Sequence, residues 1–158
     1  MHKNIRKYSD SDLENLLDAW ENASKLAHPF LTNDLLVTTR KNIPIALLPK
    51  ADTWVYVHEG IVVGFISLIG NEIAALFVQP KFHGIGAGRA LVDKARELHD
   101  ELEVEVFEIN SIGLQFYLKC GFVAFLEKNH EITNKKVLRM KITANKLINR
   151  TENTSVQN

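Results

Sequence analysis

A single cysteine, Cys120, rules out any intrachain disulfide, and no Cys/His cluster has the spacing of a zinc site, so no metal is expected. Neither sign of charge is in excess. Lys plus Arg and Asp plus Glu both number 19, giving a formal net charge of zero. Nucleic-acid partners call for a basic surface, so none is expected. No apolar run approaches the roughly 20 residues of a membrane span, and Met1-His2-Lys3-Asn4-Ile5-Arg6 has no apolar stretch of the kind a secretory leader needs. A cytoplasmic protein without a membrane partner is the expectation. Repeats and linkers are also missing, so the 158 residues read as one domain over 1–144 with a polar tail at 145–158 that lacks an apolar face. With 46% hydrophobic residues the chain can bury a core without covalent staples.

What is present is a regular alternation of strand and helix patterns. Residues 3–8 read as a strand, and Ser11-x-x-Glu14 as a capping box that opens a helix with Leu13, Leu16, Leu17 and Trp20 on one face, to about Ala27. His28-Pro29 breaks it, a second helical piece covers 33–42, and Ile43-Pro44 ends that one. β-Branched and aromatic residues then predict a meander of strands at 53–57, 61–69 and 72–78. An apolar face of Leu91, Ala95, Leu98 and Leu102 after the loop predicts a helix, read over 87–101. A strand at 103–107 follows it and should lie parallel to 72–78. The helix 111–120 places Ile112, Phe116 and Cys120 on one side and stops at Gly121. Strands near 122–127 and 136–142 complete the order β-α-α-β-β-β-α-β-α-β-β, an α/β fold with a mixed, mostly antiparallel sheet.

The segment between strand 72–78 and the next helix holds the chemistry. His83-Gly84-Ile85-Gly86-Ala87-Gly88-Arg89 sets three glycines at alternate positions before a helix start. The free N–H groups of such a start carry partial positive charge, so the loop reads as a phosphate cradle. It is not a P-loop, since no Gly-Lys-Ser/Thr follows. Nor is it a G-x-G-x-x-G fingerprint, because the third glycine would fall on Arg89 or Leu91.

The loop resembles the R/Q-x-x-G-x-G/A motif of the GNAT superfamily of acyl-CoA-dependent N-acyltransferases, with His83 where Arg or Gln is usual. Asn110 followed by Phe116-Tyr117-Leu118-Lys119-Cys120-Gly121-Phe122 is similar to a second family segment. Ala27-His28-Pro29-Phe30-Leu31, Trp54-Val55 and Val63-Gly64-Phe65-Ile66 resemble small stand-alone bacterial members, so the likeness runs to about residue 142. It implies the GNAT fold and an N-acetyltransferase that moves an acetyl group from acetyl-CoA to a primary amine by direct attack, as a monomer or homodimer. The acceptor is a small-molecule or peptide amine. A non-catalytic acyl-CoA-binding sensor module is the alternative.

The resemblance also implies roles for single residues. The pyrophosphate would lie on the amides of 84–89, with Arg89 adding charge or facing solvent. The pantetheine arm would lie along strand 72–78 and use the backbone of Phe77 and Val78, which requires 72–78 and 103–107 to splay, as a bulge in 72–78 would allow. Tyr117 is the candidate acid for the departing thiolate, since a phenol of ordinary pKa about 10 keeps its proton at neutral pH. The base stays open between Glu72, eleven residues before His83, His28 with its ordinary pKa of about 6.5, and a chain of waters. Asn110 can cap helix 111–120 or reach the pantetheine. His28, Phe30 and Trp54 fall where the acceptor pocket lies in the family, whereas Glu103, Glu105 and Glu108 read as solvated or strand-end positions. Cys120 reads as packing.

Overall fold

Strand β1 (Ile5–Lys7) leads through a short 3-10 turn at Asp10–Asp12 into helix α1 (Leu13–Ala27) and then α2 (Asn33–Asn42) in the computed structural model, which describes residues 4–143. The expected tail at 145–158 lies outside the described residues. The meander is β2 (Asp52–His58), β3 (Ile61–Ile69) and β4 (Glu72–Val78). Helix α3 (Ala87–Leu98), β5 (Glu101–Phe107), α4 (Ser111–Cys120), β6 (Val123–Asn129) and β7 (Lys136–Thr143) follow. All seven strands share one sheet in the order β1-β2-β3-β4-β5-β7-β6, antiparallel except for β4 and β5. That pair is joined by α3, the crossover a parallel pair needs.

The sheet separates two apolar layers. Successive strand residues point to opposite faces, and β3 shows it. Val62 to Leu68 are all buried, with Ile66 packed among Leu91, Leu102, Phe122 and Met140 under α3 and α4, and Phe65 among Leu16, Trp20, Leu36 and Val55 under α1 and α2. Charge seals the far part of the sheet. Arg139 of β7 bonds Glu72 at 2.7 Å, Glu103 at 2.6 Å and Glu105 at 3.3 Å, drawing β4, β5 and β7 together.

One irregularity shapes everything that follows. β3 pairs Ser67 with Ala75 but Leu68 with Ile73, so Ala74 is an extra residue in β4 and forms a bulge. β4 and β5 pair only at Glu72↔Glu103 and Ile73↔Val104. Beyond the bulge the two strands part, as the resemblance implied.

Local details depart from the sequence expectations. The capping pair is Ser9 and Asp12, not Ser11 and Glu14: the Ser9 N–H donates to Asp12 Oδ2 at 2.9 Å, and Arg6 fixes the same carboxylate at 2.8 Å. The basic partner on β1 selects the earlier carboxylate. Helix α2 ends at Asn42 as expected, but Pro44 does not stop the coiling of the chain. It sits at the start of a wide turn, Ile43–Leu47, in which the Leu48 N–H reaches the Ile43 carbonyl. That spacing tolerates a missing N–H at its first residues. Helix α3 stops at Leu98, which is 41% exposed, and β5 begins at Glu101.

Candidate active site

A cleft of about 640 Å³ fills the fork between β4 and β5. Its walls come from both strands, from Ala23, Leu26, Ala27 and His28 at the end of α1, from the glycine loop, and from Ile112, Gly113, Phe116 and Tyr117 of α4. Ile112 is 46% exposed because it faces this cleft rather than the core, where Cys120 and Tyr117 are buried.

The glycine loop closes one end. Gly84 and Gly86 have φ of +91° and +86°, the left-handed region, and a Cβ at either would meet nothing within 4 Å. Backbone shape, not space, calls for glycine there. Gly88 differs, since its Cβ would meet Phe116 Cε1 at 3.1 Å, so it serves the approach of α3 to α4. The first bond of the helix runs from the Ala90 N–H to the Gly86 carbonyl. The amides of Ala87, Gly88 and Arg89 therefore lack helical partners at the mouth of the cleft. Arg89 lines the cleft with its side chain about half exposed, near Asp93. Ile85 is exposed and outside the lining.

The β4 backbone forms a second polar surface. The Gln79 N–H donates to the Val63 carbonyl on β3 at 2.8 Å. Alternation then turns the amide groups of Val78 and Leu76 toward the cleft and those of Phe77 toward β3. Phe77 was expected to offer its backbone. Its register opposite Phe65 prevents that, and it contributes to the wall of the cleft instead. The Val78 carbonyl is covered by His83, whose Nε2–H donates to it at 3.0 Å.

Tyr117 stands at the inner wall, 7% exposed, edge-on to Phe116 and Phe122. Its hydroxyl has no hydrogen-bond partner among the described residues. Burial, and secondarily the neighbouring Cys120, push its pKa upward, so it carries its proton throughout the physiological range. Asn110 Oδ1 accepts from the Gly113 N–H at 3.0 Å, capping the helix that carries Tyr117. Its Nδ2 lies 3.5 Å from His28 Nε2.

His28 packs edgewise on Phe30 and Phe107, and Phe107 also meets His130. Burial lowers the His28 pKa to about 4. That weakens it as a base, because a conjugate acid of such low pKa gives little drive for taking a proton from an ammonium. Phe30 stands behind His28 and Phe107, outside the lining, with Lys135 over its ring at 5.8 Å.

Two expectations fail on position. Glu72 sits at the paired end of β4, beyond the bulge from the cleft, with its carboxylate held by both Arg139 nitrogens. It is a structural ion-pair partner and not part of the cleft lining. Trp54 is on β2, two strands away, under Lys94 of α3 at 4.3 Å. It packs against the core beneath α3 and touches no part of the acceptor side.

Glu105, which the sequence places among solvated strand positions, lines the cleft on the β5 side. Burial works against its ionisation, but Lys128 at 2.8 Å and Arg139 outweigh this and hold it below the usual carboxylate range. The signal was available in part. A strand parallel to 72–78 and splayed from it must present its later residues to the gap.

Similarity to known proteins follows the same geometry. Residues 49–124, from before β2 to the start of β6, match the family described as "Acetyltransferase (GNAT) domain". The peptidyl-lysine N-acetyltransferase YiaC of Escherichia coli K12 is 34% identical over 122 residues, 75% of this chain and 82% of that protein. The peptidyl-lysine N-acetyltransferase YjaB of the same organism is 35% identical over 119 residues, 75% and 80% of the two chains. The solution structure of apo-form YjaB from Escherichia coli superposes with a TM-score of 0.78 at 30% identity, covering 89% of this chain and 97% of that one. PaiA N-acetyltransferase from Thermoplasma acidophilum, solved in complex with coenzyme A, shares the fold with a TM-score of 0.74 at 21% identity, over 90% and 99% of the chains.

Proposed function

Since the chain belongs to the GNAT acetyltransferases and is thereby an N-acetyltransferase that takes its acetyl group from acetyl-CoA, we propose that its acceptor is the side-chain amine of a peptidyl lysine and that residues 1–144 form the catalytic unit. The carrying observation is the fork opened at Ala74, an unpaired strand edge inside a cleft that reaches a tyrosine hydroxyl with no partner among the described residues. The residues suit the donor. The open edge at Leu76 and Val78 accepts an amide-bearing arm as an added strand. The amides of Ala87, Gly88 and Arg89 suit a pyrophosphate without any net positive charge. Bound acetyl-CoA supplies the acetyl thioester.

In this reading the chain's own groups manage two protons. Tyr117 holds one for the departing sulfur, and its raised pKa keeps that proton in place until needed. Glu105 draws the positively charged amine into the cleft by its charge, and the amine's proton leaves to water rather than to a side chain. Asn110 fixes the start of α4 and so the height of Tyr117. The relatives YiaC and YjaB, both named peptidyl-lysine N-acetyltransferases, support the choice of acceptor.

Incubation with acetyl-CoA and lysine peptides with blocked N-termini, read by mass spectrometry, should give Nε-acetylation. Transfer to small amines but never to peptides would refute the acceptor. Acetyl-CoA binding with no transfer to any amine would leave the sensor module.

A further inference from the structure

The His83 side chain is not used by the mechanism above, yet it makes a specific bond. After β4 the chain turns at Pro80–Phe82, with the Phe82 N–H on the Gln79 carbonyl and the His83 N–H on the Pro80 carbonyl. This turn brings the imidazole back over the strand it has just left. Its partner, the Val78 carbonyl, is an acceptor and never a donor, so Nε2 must carry the ring proton. The distance of 3.0 Å is that of an ordinary N–H···O bond. Alternation along β4 makes this same carbonyl one of the polar groups exposed to the fork.

We propose that the His83 imidazole holds the place of the pantetheine arm on the Val78 carbonyl, so that donor binding and release of His83 are a single exchange. The inference rests on the acetyl-CoA reading of the cleft. One N–H of the protein gives way to one N–H of the ligand, so this contact adds little to donor affinity, and the unliganded strand never presents a bare acceptor. His83 is a positioning residue: it covers the arm's docking point and takes no part in the proton transfers. The ring is exposed on its other side, so it can swing away without disturbing the core.

The test separates the two halves of the donor, with pantetheine and ADP as probes and whole coenzyme A as the reference. In protein with ¹⁵N-labelled histidine and ¹³C-labelled backbone carbonyls, pantetheine alone should shift the Val78 carbonyl signal and speed solvent exchange of the His83 Nε2 proton. ADP alone should leave that exchange rate unchanged. In His83→Ala the competitor is gone, so pantetheine should bind about three- to tenfold more tightly, the size of one ordinary hydrogen bond, while ADP gains nothing. The position is exposed, so this variant should fold as the parent does. Coenzyme A that binds while the His83 bond persists would overturn the proposal, as would an unchanged pantetheine affinity in His83→Ala. If whole coenzyme A fails to bind, the donor reading falls first and this inference with it.

Discussion

At the scale of single residues, Tyr117 and Glu105 separate from their neighbours by the cleft they line. The Tyr117 ring is buried, while its hydroxyl has no partner among the described residues and opens onto the cleft it lines, where a ligand can meet it. Replacement with Phe should lower kcat by about 100-fold or more, the usual worth of a positioned acid. Coenzyme A affinity, read by calorimetry, should stay within twofold, and an unchanged kcat would remove Tyr117 from the chemistry. The two glutamates make a second contrast. Glu105→Gln should raise KM for a lysine peptide several-fold with little loss of stability. Glu72→Gln should leave kinetics near those of the parent but cost on the order of 1 kcal/mol in urea unfolding, since it breaks a two-point bond to a partly exposed Arg139. The opposite pattern would restore Glu72 as the base. Sequence alone made Tyr117 legible through its place in a motif. It could not rank the glutamates, because an alternating Glu-Val-Glu-Val strand looks alike on either side of a fork whose position depends on a single inserted residue.

At the scale of elements, the beginnings of helices decide how the site is held. A Cβ at Gly113 would lie 2.5 Å from Asn110 Nδ2. Gly113→Ala must therefore push the cap aside, and it should cost about 1 kcal/mol of stability despite alanine's better helix propensity, together with a fall in kcat because α4 carries Tyr117. A more stable Gly113→Ala protein of full activity would show that the cap does neither job. The start of α1 gives a pH prediction. Arg6 first, and the Ser9 N–H, hold the Asp12 carboxyl below its ordinary value even though burial opposes them. This bond stabilises the fold fully above the unfolded carboxyl value of about 3.9, and the contribution disappears as pH falls through the lower folded value. Arg6→Ala should lose about 1 kcal/mol at pH 7 and show a shallower loss of stability on acidification than the parent, with an identical acid profile refuting the link. The Asn110 cap and the Gly121 stop of α4 were legible because each rests on one residue type at one position. The opening of α1 was not. Two serines and three acids within six residues allow either box, and the choice falls to Arg6, which arrives from a different element.

At the scale of the whole molecule, strand periodicity and the crossover rule were enough to place a parallel pair inside an otherwise antiparallel sheet, while its splaying came only from the family resemblance. The same reasoning could not assign Trp54, since an aromatic on a strand of the right segment carries no mark of the face it will take. That face gives the protein an optical property. Its two tryptophans fall on opposite sides of the sheet, Trp20 in the layer beneath α1 and α2, Trp54 against the layer beneath α3 and α4. Each layer thus has its own fluorophore, and neither lies in the cleft lining. Trp20→Phe and Trp54→Phe leave one emitter apiece, and each should report the same thermal midpoint, measured against a calorimetric scan of the same variant, if the layers melt as one unit. An emission midpoint well below the calorimetric one would mean that the sheet lets one face loosen first. Because both emitters are remote from the fork, donor binding should leave their spectra almost unchanged, and fluorescence can follow folding while calorimetry follows the ligand in a single sample.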